Sequence, residues 1–439
     1  MNKDFLKINK SLIKITGIFE FDGITGVEKL FKSNGFNKEI LKPDSIQFHK
    51  NYWYPEFRNI FFTKEDKATS ATIYTKSLNK QVDFVKRKGD ETKEITQQLK
   101  AFVSEVEIFL FPNGLHFFSV SFLTENLNLS DLSNLTNFAR NFETEIQGTQ
   151  ENKWVNWVEN EVLNGIKIYS SWDEKPIPVD EYSGSKFKLF TVVDIEPHPE
   201  FNQQMIDELL YDLGCVAPIG TAGGNLNLTP SEAYYNLLLA DKISAFNNFS
   251  MLPLFDTFTT VGTGIISMEY QQATYQQTYY RIYLFNLFIK YNLYKYNNEM
   301  RLDTMKTRDK FESFLNNYNF QPISYNFLPN LIFEKHRKSL QIDEELKKFE
   351  ERINKISQTI QEDQQKRMNL LLGIVGLVTS ISSIEPVFGF LENIRLSMKL
   401  TATPYYFFIT FILICLALPV LAYLFPDKKK KLLKKWKKK

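Results

Sequence analysis

Residues 405–425 read YYFFITFILICLALPVLAYLF, twenty-one in succession without a charge, and PDKKKKLLKKWKKK follows from Pro426 to Lys439. At a rise of ~1.5 Å per residue this run spans ~31 Å as a helix, about the thickness of bilayer hydrocarbon. Pro404 suits a first helical turn and Thr403 can cap it. Tyr405, Tyr406 and Tyr423 fall where interfacial aromatic belts form, and the nine lysines from Lys428 to Lys439 are expected to stay cytoplasmic. The stretch therefore predicts a transmembrane helix with a cytoplasmic C-terminus.

A second apolar stretch lies upstream. Residues 368–391 read MNLLLGIVGLVTSISSIEPVFGFL, with Lys366 and Arg367 before them and Glu385 as the one ionisable group. The alternative is a buried or interfacial helix. Topology favours a span. The first residues, MNKDFLKINKSLIKITGIF, hold no apolar core long enough for a signal peptide, because Lys14 interrupts it. The N-terminal part is thus expected in the cytoplasm, and a cytoplasmic C-terminus then demands an even number of crossings. Two spans joined by residues 392–403 supply it.

The net charge of +2 conceals an asymmetry. Removing residues 427–439, with nine lysines and Asp427, leaves 44 basic against 50 acidic residues. A mildly acidic body argues against nucleic acid as a partner, and the basic tail suits either anionic headgroups of a lipid bilayer or a simple stop-transfer anchor. The only cysteines, Cys215 and Cys415, allow no disulfide framework and no cysteine metal site, which fits a reducing cytosol.

Before the membrane stretches the chain reads as an α+β cytosolic domain in two parts, 1–165 and 166–330, then a stalk at 331–367 and a two-span domain at 368–439. Ser45–Phe62 and Thr69–Ser77 are rich in β-branched and aromatic residues. Glu105–Phe111 and Leu115–Phe122 alternate about Pro112-Asn113-Gly114, a hairpin signal. Leu129–Glu143 and Gln203–Leu213 read as helices and Phe187–Ile195 as a strand. From Pro230 the second part turns mainly helical. YQQTYYRIYLFNLFIKYNLYKYNNEM is very apolar, but Arg281, Lys290 and Lys295 make it a buried bundle helix rather than a further span.

The clearest periodicity is Ile342, Leu346, Phe349, Ile353, Ile356 and Ile360, at the a/d spacing of a coiled coil. No Pro or Gly interrupts residues 330–372, so one helix is expected from about Leu331 to Ile384. The stripe supports self-association, with a helix packed on its own domain as the alternative. Beside it Asn369, Gly373, Gly376, Ser380 and Ser383 place small and hydroxyl side chains on one face. Such a face serves close helix contact or a pore lining, with Glu385 as a ring of charge at a cation mouth.

Catalytic constellations are scarce, and enzymatic activity is not expected. His49, His116, His198 and His336 lack partners at metal-ligand spacing, and GxxxxGK[ST], GxSxG and HExxH are absent. A loop with Gly220, Thr221, Gly223, Gly224 and Asn225 precedes a helix near Pro230. It is either a connector or an anion cradle of backbone amides.

An α+β domain, a long stalk helix, two spans with a short outer loop and a lysine-rich tail together resemble the CorA family of magnesium and cobalt transporters. The likeness is best over residues 331–439. It implies a homopentamer whose first span lines a pore at Asn369, Ser380 and Ser383. The family's Gly-Met-Asn signature is missing, and Val387-Phe388-Gly389-Phe390 stands in its place. With the large soluble part, this is similar to CorA-related membrane effectors of type III CRISPR antiviral defence. That likeness implies an ion channel in the bacterial inner membrane, both termini cytoplasmic, opened by a nucleotide messenger such as S-adenosylmethionine joined to AMP. The alternatives are a divalent cation (Mg or Co) transporter, which would bind Mg2+, and a non-conducting anchored binding protein.

Overall fold

A computed structural model describes residues 6–20, 24–63, 68–87, 95–125, 127–148, 153–168, 186–224, 228–300 and 304–382, with 389–390, 392–393 and 396–397. It divides into two compact units, Met1–Glu350 and Glu351–Lys439.

The first unit is built on a mixed sheet of ten strands in the order β2-β3-β4-β5-β1-β7-β10-β9-β8, with β6 paired to β3. The strands are β1 (Ile8–Glu20), β2 (Asn37–Lys38), β3 (Thr72–Arg87), β4 (Ile95–Leu110), β5 (Leu115–Glu125), β6 (Glu145–Gln147), β7 (Lys188–Ile195), β8 (Ile243–Phe246), β9 (Phe249–Pro253) and β10 (Thr257–Thr263). The helices are α1 (Ile24–Ser33), α2 (Pro43–Tyr52), α3 (Pro55–Phe61), α4 (Leu129–Arg140), α5 (Trp154–Trp157), α6 (Gln203–Gly214), α7 (Glu232–Leu239), α8 (Glu269–Ala273), α9 (Tyr280–Glu299), α10 (Thr304–Tyr318), α11 (Phe327–Ser339) and α12 (Ile342–Ser382).

Local chemistry explains most of these elements. The β4–β5 hairpin turns at Pro112-Asn113-Gly114, where Gly114 takes φ +79°, a conformation that costs glycine nothing. Asn128 and Asn202 cap α4 and α6 by accepting hydrogen bonds from the amides of Asp131 and Met205. Ser45–Phe62, rich in aromatic residues, falls in α2 and α3. Pro43 and Pro55 stand in their first turns, where a missing amide hydrogen is not needed.

One sheet crosses the expected boundary at residue 165. β1 pairs antiparallel with both β5 and β7, so the two expected parts share a single layer. β7 then pairs parallel with β10. The segment expected as a bundle helix is α9, and it lies on the sheet: Tyr280 contacts Phe190 at 5.4 Å and Phe288 stacks on Phe111 at 4.0 Å.

The single stalk helix expected over 331–384 is two helices. Gln341 between α11 and α12 takes φ +55°, in the left-handed region that no helix can pass through. Ile342, Leu346 and Phe349 of the stripe are buried in the first unit, and the Phe349 ring lies 4.1 Å from that of Phe311 in α10. Ile353 is buried, and Ile356 and Ile360 are half-buried.

The membrane architecture is corrected. Among the described residues no helix is long and apolar enough to cross a membrane. Among the described residues of α12 the uncharged stretch is Met368 to Ser382, behind Glu362, Asp363, Lys366 and Arg367, and it falls short of the ~20 apolar residues that a span needs. The fold with two transmembrane helices, the reading as a membrane ion channel and the inner-membrane localisation are therefore withdrawn. The expected second span, 404–425, lies outside the described residues, as do Ser383 and Glu385. Asn369, Gly373 and Gly376 are exposed on α12, and Ser380 belongs to the same helix.

Candidate functional site

The two faces of the sheet differ in kind. Strand alternation puts Ile13 and Ile15 of β1, Val120 and Phe122 of β5, and Val106 and Ile108 of β4 on one face, within the main apolar core. The other face carries Lys14 and Thr16 beside Ser121 and Ser119, and beyond them Glu105 and Glu107. Such a face ordinarily meets water. Here α9 covers it.

Lys14 is fully buried, and its Nζ donates to Glu107 Oε2. The Ser119 hydroxyl donates to the same oxygen at 3.0 Å. Lys14 Nζ also sits 4.3 Å from the ring centroid of Tyr280, the first residue of α9, whose hydroxyl bonds Thr16 Oγ1 at 2.9 Å. The Lys14 charge thus has a carboxylate on one side and an aromatic face on the other, which is what a buried ammonium requires. Glu105, two residues along the strand, has no such fixed cation. Burial and then the Glu107 charge raise its carboxyl above the usual range.

Arg281 continues the seam. Its Nη2 donates to both Glu39 oxygens, at 2.8 and 2.6 Å, and its guanidinium lies 4.8 Å from the Phe62 ring centroid. The side chain is 2% exposed, yet Nε and Nη1 have no partner. His49 stacks on Phe62 at 3.9 Å, and burial, then the Arg281 charge, lower its pKa to about 4. Imidazole beside Arg281 is therefore neutral at physiological pH. Glu39 also lines a cavity of about 130 Å³ with Lys38, Phe61, Ser70 and Thr72.

Further along α9 the charges reach the long helix. Lys290 donates to Glu345 in the first turn of α12, and Tyr294 donates to the same oxygen at 3.2 Å. Burial lowers the Lys290 pKa although Glu345 opposes it. Nearby, Asp256 accepts from both Lys188 and Arg140. Burial works against its ionisation, but the two cations hold its carboxyl below the usual range. A wider open cleft of about 520 Å³ lies between Pro112-Asn113, α9 and α10, bordered by the Lys310–Glu299 pair at 2.7 Å.

The sequence-predicted loop has a different geometry from a free anion cradle. The amides of Gly220 and Ala222 donate to the two carboxylate oxygens of buried Asp212, each at 2.8 Å. Thr221 Oγ1 bonds the Pro218 carbonyl at 2.6 Å, and Gly223 lies against Glu208. Gly224 takes φ +76°, and Asn225 lies outside the described residues. Among the described residues no group of three His, Cys, Asp or Glu side chains is placed to hold a metal ion. His198 Nδ1 accepts from the Glu200 amide at 3.2 Å.

Sequence reasoning missed Lys14, Glu105, Glu107 and Glu39 as a group. Lys14 and the two glutamates sit at alternate strand positions and read as a solvated face. Arg281 and Lys290 did carry a signal, as charges inside an otherwise apolar helix. No family model matches the chain, and no curated protein matches it.

Proposed function

We propose that the Met1–Glu350 unit is a ligand sensor whose receptor is the charged seam under α9 and whose output element is α12. The observation that carries this reading is Arg281, a buried guanidinium with two unpartnered nitrogens whose carboxylate partner, Glu39, lines a cavity. Unsatisfied buried donors are costly, and each calls for an explanation. α9 links the two ends, because it holds Arg281 at the seam and Lys290 against Glu345 of α12.

The role is binding rather than catalysis. The Glu107 carboxylate is saturated by Lys14 and Ser119, and burial pushes the Cys215 thiol up to about 11, which keeps it protonated and unreactive. The ligand class to try first is an anionic one such as a nucleotide, because the unpartnered donors belong to a guanidinium. Self-association through the half-buried Ile356 and Ile360 belongs to the same reading.

The test is calorimetric titration of the full chain with a panel of nucleotides, followed by hydrogen exchange on α9 and α12. Binding that alters protection of residues 342–350 is expected. Failure of every nucleotide to bind, or binding that leaves those amides unchanged, would remove the sensor reading.

A further inference from the structure

We propose that Glu39 is a strap occupying an anion site built on Arg281, and that the adjoining cavity admits a phosphate or carboxylate group of the ligand in its place. The proposal rests on the sensor reading and names the chemistry its ligand must carry.

A guanidinium offers five N–H donors in a planar fork that fits a tetrahedral phosphate or a carboxylate side-on. Glu39 uses one nitrogen only. Both of its oxygens approach Nη2, while Nε and Nη1 stay without partners in a side chain shut away from water. The best geometry available to Arg281 is therefore unfilled by its own chain.

Glu39 is also free to leave. Its amide donates to the Ile73 carbonyl at 2.8 Å, which fixes the backbone, but its side chain is 22% exposed and can swing into solvent. The cavity behind it measures about 130 Å³, far more than one water needs, and presents Lys38, Ser70 and Thr72. Glu105, its carboxyl pushed towards the neutral form by burial, opposes an incoming anion less than an ordinary glutamate would. The Phe62 face under Arg281, itself stacked on the His49 ring, holds the guanidinium in place while its partner changes.

The test compares the full-length wild type with Glu39→Gln, which removes the competing charge at nearly constant size. Each is titrated with inorganic phosphate and, separately, acetate at matched ionic strength, with thermal unfolding as a second readout. At least tenfold tighter binding of phosphate or of acetate by Glu39→Gln is expected, and the favoured probe identifies the anion. Adding Arg281→Lys to Glu39→Gln is expected to abolish that gain, since a point cation cannot replace the fork. Equal binding of both probes by wild type and Glu39→Gln overturns the strap, and so does a gain that survives Arg281→Lys. A nucleotide that binds wild type and Glu39→Gln equally leaves the sensor standing and removes the strap alone.

Discussion

The two faces of one sheet obey opposite rules. Under α4, α5 and α6 the strands bury hydrocarbon: Phe84, Phe122 and Trp154 meet at 5.1–6.3 Å, and the Trp154 indole finds the Ala139 carbonyl at 2.8 Å. Under α9 the same strands bury Lys14, Glu107 and Ser119. The first face gains stability from area removed from water, at roughly 25 cal/mol per Å². The second spends some of that on desolvating charges, which apolar residues of similar volume would avoid.

The most direct way to break this contrast is Lys14→Met, which strands Glu107 without its cation. A loss of about 3–5 kcal/mol is expected in denaturant unfolding, with most of it recovered in Lys14→Met/Glu107→Met. A double variant no better than the single one would mean that the seam is held together by contacts other than the pair.

Next in size is Phe349→Ala, expected to cost about 3 kcal/mol, because its ring is buried against Phe311 of its own chain. Ile360→Asn, by contrast, should leave the melting temperature within a degree or two and weaken self-association in sedimentation. The pair of variants separates the half of the stripe spent inside the first unit from the half left over.

On the apolar face Gly17→Ala tests packing. A Cβ there would lie 2.3 Å from Phe118 Cζ, so the ring must move, at an expected cost of about 1–3 kcal/mol.

The contrast also has a pH dependence. His49 and His336 are held below 6.5, at about 4 and about 3, by burial first and by Arg281 and Lys188 second. Below pH 6.5 the unfolded chain takes up protons that the folded chain refuses. Stability is therefore full above pH 6.5 and declines towards pH 4, by at most about 1.4 kcal/mol per pH unit for each histidine. His336→Gln should flatten that slope by one histidine's share in unfolding curves taken from pH 7 to 4.5.

Much of the fold was legible. The β4–β5 hairpin, α4, β7 and α6 were readable from alternation, amphipathic spacing and turn residues. α2 and α3 were not, since their aromatic content outweighed two prolines that in fact begin helices. The site was legible only in part. Arg281 and Lys290 stand out within an apolar run, whereas Lys14, Glu105 and Glu107 have the period of an ordinary wet strand face. The membrane reading is overturned within the described residues, where the uncharged stretch of α12, Met368 to Ser382, is shorter than the ~20 apolar residues of a span.

Sequence by itself determined the local periods, because side-chain alternation and helical spacing are properties of neighbouring residues. Only tertiary structure decided that α9 would roof the polar side of the sheet, that Glu39 would meet Arg281 from 242 positions away, and that the first turns of the heptad stripe would pack inward. Those outcomes depend on long-range contacts whose energy is shared among residues far apart in the chain, and no single stretch contains it.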